Sequence, residues 1–451
     1  MASAEEKRQS MLTEPVELLV LRLAVPTVIT MMITAFYNMA DTYFVGKLDT
    51  VSTAAVGLAL PLMNIVQAIG FFFGHGSGNY ISGKLGAGDT RSAAVMGDTA
   101  AVLSFLGGTV IVLLGLIFDR PLAVFLGADE VLLEPSLEYI TVLLWGIPFQ
   151  MASFTMNNQL RFQGNAFRGM IGMAGGSLLN VVLDPLFISV LGMRVKGAAL
   201  ATVISQIVSF AVLLKMSGRL TLKMPCFKPS AEIMGALFKY GSPSLFRQGI
   251  MSAAAVCLNQ SAVVHGAAFI AAVSVVNRIV MLGASVVIGL GQGFQPVCGF
   301  NSGAGQFGRV RKTYLFCIKL TTAFMTLFGA VVFVFAPQFI LFFRNDPQVA
   351  AAGTLILRAQ CITAPLQGVI VMTNMIMQNM GRTVRATVLA IARQGLFFIP
   401  LLYIFSAAFG VTGIQITQSA ADILTAMVSV PMAVMVSREL SRKELENNES
   451  I

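Results

Sequence analysis

Charge is what this sequence has least of. Only 11% of its 451 residues are Asp, Glu, Lys or Arg, where a soluble domain carries roughly 25%. So few charges cannot clothe a water-facing surface, which excludes an ordinary soluble enzyme or nucleic-acid-binding domain. Histidine is almost missing. His75 and His265 are the only two, and neither belongs to an HExxH helix or other catalytic cluster, which argues against an intramembrane enzyme. The five cysteines, Cys226, Cys257, Cys298, Cys317 and Cys361, show no CxxC and no paired spacing. That excludes a disulfide or zinc framework. The start of the chain, Met1 to Glu17, is polar and carries acidic as well as basic residues, so it is not expected to be a cleavable signal peptide.

What is present is apolar. Hydrophobic residues make up 56% of the chain and the mean hydropathy is +0.79, so lipid is the main solvent. At ~1.5 Å rise per residue across a hydrocarbon core ~30 Å thick, each crossing needs ~20 residues. Breaks at Gly, Pro and charge delimit twelve candidate spans: 18–46, 52–82, 94–118, 132–158, 170–192, 196–217, 235–263, 268–300, 314–336, 348–378, 386–409 and 412–436. The net charge of +9 is scattered singly, which suits loops on the cytoplasmic side better than nucleic acid. One set of loops and ends, from Lys7, Arg8, Lys84, Arg91, Arg161 and Arg168 through to Lys443, holds 18 Lys and Arg. The opposite set holds 5: Lys47, Arg120, Arg194, Lys196 and Arg344. Both termini are therefore expected in the cytoplasm.

The chain repeats itself at a constant offset of 217. Pro26 falls on Pro243, Gly74 and Gly76 on Gly291 and Gly293, and Gly86-Ala87-Gly88 on Gly303-Ala304-Gly305. Asp129 falls on Asp346, Pro148 on Pro365, Asn157 on Asn374, Gly164 on Gly381 and Arg168 on Arg385. An offset spanning six helices gives both halves the same topology, a parallel repeat about an axis along the membrane normal. The expected fold is therefore an all-α membrane protein, with two pseudo-symmetric six-helix bundles around a central cleft. Residues 1–217 would form the N-terminal lobe, 218–231 a cytoplasmic linker and 232–451 the C-terminal lobe.

Carboxylates at membrane depth are costly unless protonated, paired or bound to a cation, so they are functional candidates by default. Asp41 lies in the outer part of span 1 and Asp184 in the outer half of span 5. Asn180 stands one helical turn before Asp184, on the same face. Pro185 has no N–H and so frees the Val181 carbonyl. Thr202 reaches a comparable depth on span 6. A carboxylate, an amide oxygen, a hydroxyl and a free carbonyl suit Na⁺; a desolvated carboxylate equally suits H⁺. The second half carries Leu258 and Leu401 where the first has Asp41 and Asp184, so ion binding is expected in the first half only. Asp422 is the exception, read as a helix–helix hydrogen bond or, alternatively, a second ion site. Pro26, on the helix of Asp41, is either a hinge or a static kink.

These segments resemble the multidrug and toxic compound extrusion family along nearly the whole chain. The resemblance is carried by Pro26, by the run Tyr37-Asn38-Met39-Ala40-Asp41-Thr42-Tyr43-Phe44-Val45-Gly46, by Gly83-Lys84-Leu85-Gly86-Ala87-Gly88-Asp89 and by Asn180 to Pro185. It is nearest to the prokaryotic branch of DinF- and MepA-like exporters. The resemblance implies an N-terminal cation site at Asp41, Asn180, Asp184 and Thr202. Tyr37, Asn38, Tyr139 and Asn157 would be its polar neighbours or substrate contacts, with Pro26 and Pro185 as hinges. Acidic residues of the C-terminal lobe in the NorM-like branch have no match in spans 7, 8 or 10. The implied function is export of organic, often cationic and amphipathic compounds across the inner membrane of a prokaryote, coupled to Na⁺ or H⁺. No cofactor is implied, and no metal beyond Na⁺. Lipid and small substrates are the expected partners, and the chain would work as a monomer. A lipid-linked oligosaccharide flippase of the same superfamily is the competing reading; it would need cations for a pyrophosphate, for which Arg247 and Arg278 are the candidates.

Overall fold

The computed structural model describes residues 4–46, 50–217 and 227–449. Side chains at 4, 37–43, 45–46, 50, 267 and 448–449 lie outside the described set. Among the described residues every element is helical. Lipid offers the backbone no hydrogen bonds, so each span must satisfy its own N–H and C=O groups.

After a short α1 (Ala4–Thr13), the crossings begin with α2 (Val16–Gly46) and the broken pair α3 (Thr50–Leu58) and α4 (Leu60–Gly86). Next come α5 (Thr90–Ile117), the short α6 (Asp119–Phe125) and the pair α7 (Leu133–Leu144) and α8 (Ile147–Phe162), bent by 49°. The first six close with α9 (Ala166–Pro185), a π-helical segment (Leu186–Val190) and α10 (Arg194–Ser217). The second series runs α11 (Ala231–Val263), α12 (Ala267–Gly303), α13 (Phe307–Val334), the short α14 (Ala336–Phe343) and α15 (Pro347–Asn379). It ends with α16 (Thr383–Ile391), a second π-helical segment (Ala392–Phe398) and α17 (Ile399–Glu449).

Nine described stretches are long and apolar enough to cross a bilayer, and the α7–α8 pair makes ten. The stretch from Thr383 to Asn447 counts twice, because Gly410 breaks it with φ 58° and ψ −132°. The remaining crossing is α11, 33 residues long, whose Glu232, Lys239 and Arg247 dilute its apolar character. The twelve spans expected from the sequence are thus all present.

The repeat is visible in details that composition cannot fake. Asp129 braces the turn that leads into α7, its Oδ1 accepting the Val131 and Leu132 N–H groups at 3.1 and 2.9 Å. Its counterpart Asp346, accepting from Gln348 and Val349 at 2.9 and 3.5 Å, caps α15 directly. Gly164 and its counterpart Gly381 turn the chain with φ of 76° and 68°, the left-handed region glycine enters without penalty. The two short helices, α6 and α14, also begin 217 residues apart.

The described residues form two compact units, residues 29–245 and residues 1–28 with 246–451. The chain thus passes between units two residues after Pro26 and again two after Pro243. Residues 28 and 245 are themselves one repeat apart. In the N-terminal unit, the start of α11 packs on α4. The Phe72 and Phe238 rings lie 5.1 Å apart, and Ser244 Oγ is 3.0 Å from His75 Nδ1. Gly76 permits this, since a Cβ there would lie 2.8 Å from the Leu237 carbonyl oxygen. In the C-terminal unit, the start of α2 takes the corresponding place. A Cβ on Gly293, the counterpart of Gly76, would lie 2.6 Å from the Ala24 nitrogen. Arg309 donates to the Glu14 carbonyl at 2.6 Å, Asn301 to that of Met11 at 3.2 Å, and Lys312 pairs with Glu17 at 3.0 Å. Arg161 departs from the reading of it as a loop cation. It is 3% exposed at the end of α8 and donates to Asn158 Oδ1 at 2.5 Å.

Candidate cation site

Within the N-terminal unit, α9 and α10 pack side by side and bring Asn180, Asp184 and Thr202 together. All three are buried, at 2%, 0% and 7% exposure. The spacing explains the first pair: four residues on a helix return a side chain to the same face. With its amide turned to satisfy both ends, Asn180 donates from its NH₂ to Asp184 Oδ2 at 3.0 Å, and its oxygen accepts the Thr202 N–H at 3.1 Å. In the opposite orientation the NH₂ faces Thr202 Oγ1 at 3.4 Å. The Thr202 hydroxyl itself donates to the Ala198 carbonyl at 3.1 Å.

Pro185 ends α9 immediately after the carboxylate, and the backbone changes to π-helical geometry at the next residue. A proline lacks the N–H that would continue the i→i−4 ladder. The register widens, with Leu191 N–H donating five residues back to the Leu186 carbonyl at 2.9 Å. Such π-segments are frequent at functional sites.

The other expected residues are placed as follows. Tyr139 is 6% exposed and belongs to an apolar cluster with Ile188, Ala198 and Ala199, the start of the helix that bears Thr202. Phe44, three residues beyond Asp41 on α2, packs against the same cluster. The side chains of Tyr37, Asn38 and Asp41 lie outside the described residues. Asn157 is not part of the group. Its side chain lies against Gly169 on α9, fifteen residues and therefore ~22 Å of helix from Asp184. Its repeat counterpart Asn374 makes the related contact, donating to the Ala386 carbonyl at 2.7 Å.

Asp422 does make the helix–helix hydrogen bond expected of it, accepting from Thr363 at 3.5 Å. Sequence reading missed its main partner, Arg393, whose Nε lies 2.6 Å from Asp422 Oδ1. The available signal was an arginine inside span 11, a residue type that must find a partner at that depth.

A duplicated bundle of twelve spans with polar side chains buried at membrane depth defines a polytopic membrane protein of the parallel-repeat transporter class. One family model, MatE, matches the chain twice, over residues 26–186 and 243–404, one match per repeat. The chain belongs to the MatE family, the multidrug and toxic compound extrusion proteins that its sequence resembles. It is 27% identical over 432 residues to the multidrug export protein MepA of Staphylococcus aureus strain NCTC 8325 / PS 47, covering 95% of each chain. It superposes on the outward-facing conformation of a multidrug resistance MATE family transporter of the MOP superfamily with a TM-score of 0.88 and 29% identity, covering 96% of this chain and 99% of that one. A MOP superfamily transporter from Pyrococcus furiosus, described as having a binding pocket of reverse polarity, matches with a TM-score of 0.87 and 29% identity over 95% and 99%.

Proposed function

We infer that this protein is a secondary exporter of small organic compounds, often cationic and amphipathic, driven by inward flow of Na⁺ or H⁺. The observation that carries the reading is the fully buried Asp184, held by Asn180 beside Thr202 within a duplicated carrier fold. A carboxylate so placed gains most from a partner with positive charge, a proton or a small hard cation.

Asn180 can serve both states. Without the ion, its NH₂ faces the Asp184 carboxylate. With a proton or Na⁺ on Asp184, the amide turns its oxygen to the site and its NH₂ to the Thr202 hydroxyl. Asp41 supplies the second carboxylate, and Tyr37, Asn38 and Tyr139 complete the polar surroundings. Pro26 and Pro185 are the bending points that couple occupancy to shape. Exchange follows if the ion-loaded form binds the organic substrate less well than the ion-free form, since two ligands that favour different conformations expel one another. The protein acts as a monomer with no cofactor, in the cytoplasmic membrane of a prokaryote, with both termini in the cytoplasm.

The test is efflux of a fluorescent organic cation from liposomes under an imposed pH gradient or, separately, a Na⁺ gradient. Asp41→Asn and Asp184→Asn are measured alongside. Gradient-driven efflux that is lost in both variants supports the reading; wild-type rates in both would overturn it.

A further inference from the structure

The C-terminal unit contains a second carboxylate cage built from residue types like those of the first. Asp184 takes a hydrogen bond from an amide four residues before it, Asn180, whose oxygen in turn meets Thr202 on another helix. Asp422 has an amide four residues before it, Gln418, which donates to Oδ1 at 3.0 Å, and a threonine from another helix, Thr363, at 3.5 Å. The repeat does not explain this likeness, because the offset of 217 sets Asp422 opposite Ser205 and Asp184 opposite Leu401. A π-helical segment borders each cage: Leu186–Val190 follows Pro185, the residue after Asp184, and Ala392–Phe398 carries Arg393.

The difference is the occupant. Arg393 reaches Asp422 with both arms of its fork, Nε to Oδ1 at 2.6 Å and one terminal nitrogen to Oδ2 at 3.3 Å. Gln394 steadies the cage by donating to Gln418 Oε1 at 3.4 Å. The carboxylate is buried at 1% exposure, while the arginine side chain keeps 26%. The cage is thus closed around the anion and open on the side of the cation.

We propose that Asp422, Gln418 and Thr363 form a second monovalent-cation site whose permanent occupant is the guanidinium of Arg393. The protein supplies the cation that a free ion would otherwise provide. Its consequence for transport, that the coupling ion loads the N-terminal unit alone, rests on the function inferred above; the binding site itself does not.

The test is therefore one of binding. Arg393→Ala removes the resident guanidinium and leaves the cage. Melting of the purified protein is followed in low-millimolar guanidinium chloride, with NaCl and KCl at matched chloride. The melting temperature of Arg393→Ala is expected below that of the wild type, and guanidinium raises it by about 2–4 °C. The wild type and the double variant Arg393→Ala/Asp422→Asn do not respond. An equal response in the single and double variants, or none in either, overturns the proposal. Should Arg393→Ala not be recovered folded, Arg393→Gln keeps a neutral donor on a shorter stem and Na⁺ becomes the probe. A melting temperature raised by Na⁺ in Arg393→Gln but not in Arg393→Gln/Asp422→Asn supports the site, and no difference between them sinks it. A protein whose Asp184 had no part in coupling would give these same melting results, so the two readings fail separately.

Discussion

In the N-terminal unit the buried carboxylate of Asp184 takes a hydrogen bond from Asn180, a neutral amide on its own helix. In the C-terminal unit the Asp422 carboxylate takes two from the guanidinium of Arg393. The scaffold around them is duplicated down to turn-forming residues, yet the carboxylates stand at positions the repeat does not relate. Duplication preserved what packing requires: the turn-bracing Asp129 and Asp346, the turn glycines and the close approach at Gly76 and Gly293. It left the intramembrane charges free to diverge, and one half now holds its carboxylate with a neutral group where the other uses a charged one.

Substitutions can break this contrast or sharpen it. The largest effect is expected from Asp184→Asn, which keeps the hydrogen-bonding shape but removes the charge. Gradient-driven efflux in liposomes should fall by about 100-fold, within the range of known coupling energies, while the melting temperature stays near that of the wild type. Asp422→Asn should do the reverse. It strands a partly exposed guanidinium, and removal of one partner from a buried pair costs about 3 kcal/mol or somewhat more; thermal unfolding in detergent reads the loss. Replacing both groups, Arg393→Leu with Asp422→Leu, should restore most of that stability, because a packed apolar pair is often no worse than a buried ionic one.

A smaller contrast separates two repeat partners. Asn374→Ala deletes a buried donor to the Ala386 carbonyl and should destabilise by about 1–2 kcal/mol. Asn157→Ala, where the side chain packs on Gly169, should cost about half as much or less. A transport defect in Asn157→Ala without a stability defect would restore it to the substrate contacts.

The smallest effect lies at a helix start. Asp89 caps α5 by accepting the Ser92 N–H at 3.0 Å and pairs with Lys84 at 3.2 Å. The Ser92 backbone hydrogen bond, helped by the Ser92 and Lys84 side chains, lowers its carboxyl to about 2. A lowered carboxyl stabilises the fold above its unfolded value of 3.8, and that contribution is lost as pH falls through about 2. The repeat counterpart, Gln306, makes no side-chain cap at α13. Gln306→Asp should therefore add about 0.5–1 kcal/mol, and the gain should vanish under acid.

Most of the scaffold was legible in the sequence because lipid imposes simple rules. Spans, their number and the duplication follow from apolar length and from Pro, Asn and Asp recurring at one offset. The cluster of Asn180, Asp184 and Thr202 was legible for a related reason: few polar residues occur at that depth, and four-residue spacing fixes their face. What the linear order concealed was pairing between distant helices. Arg393 stands 29 residues before Asp422, with nothing local to join them. The passage of the chain between units just after Pro26 and Pro243 was hidden too, because the start of each helix packs among residues 200 or more positions away in one unit and about 160 in the other. Arg161 misled for the opposite reason: a cation beside a turn reads as a loop residue until its burial is seen.

The claim that one half carries the coupling chemistry is tested most directly by efflux from liposomes containing the charge-free C-terminal variant, Arg393→Leu/Asp422→Leu, under the gradient that drives the wild type. The account expects that variant to respond to the gradient as the wild type does, and to lose the response once Asp184→Asn is added. A variant that has lost its gradient response while Asp184 is intact and the protein is folded would contradict it.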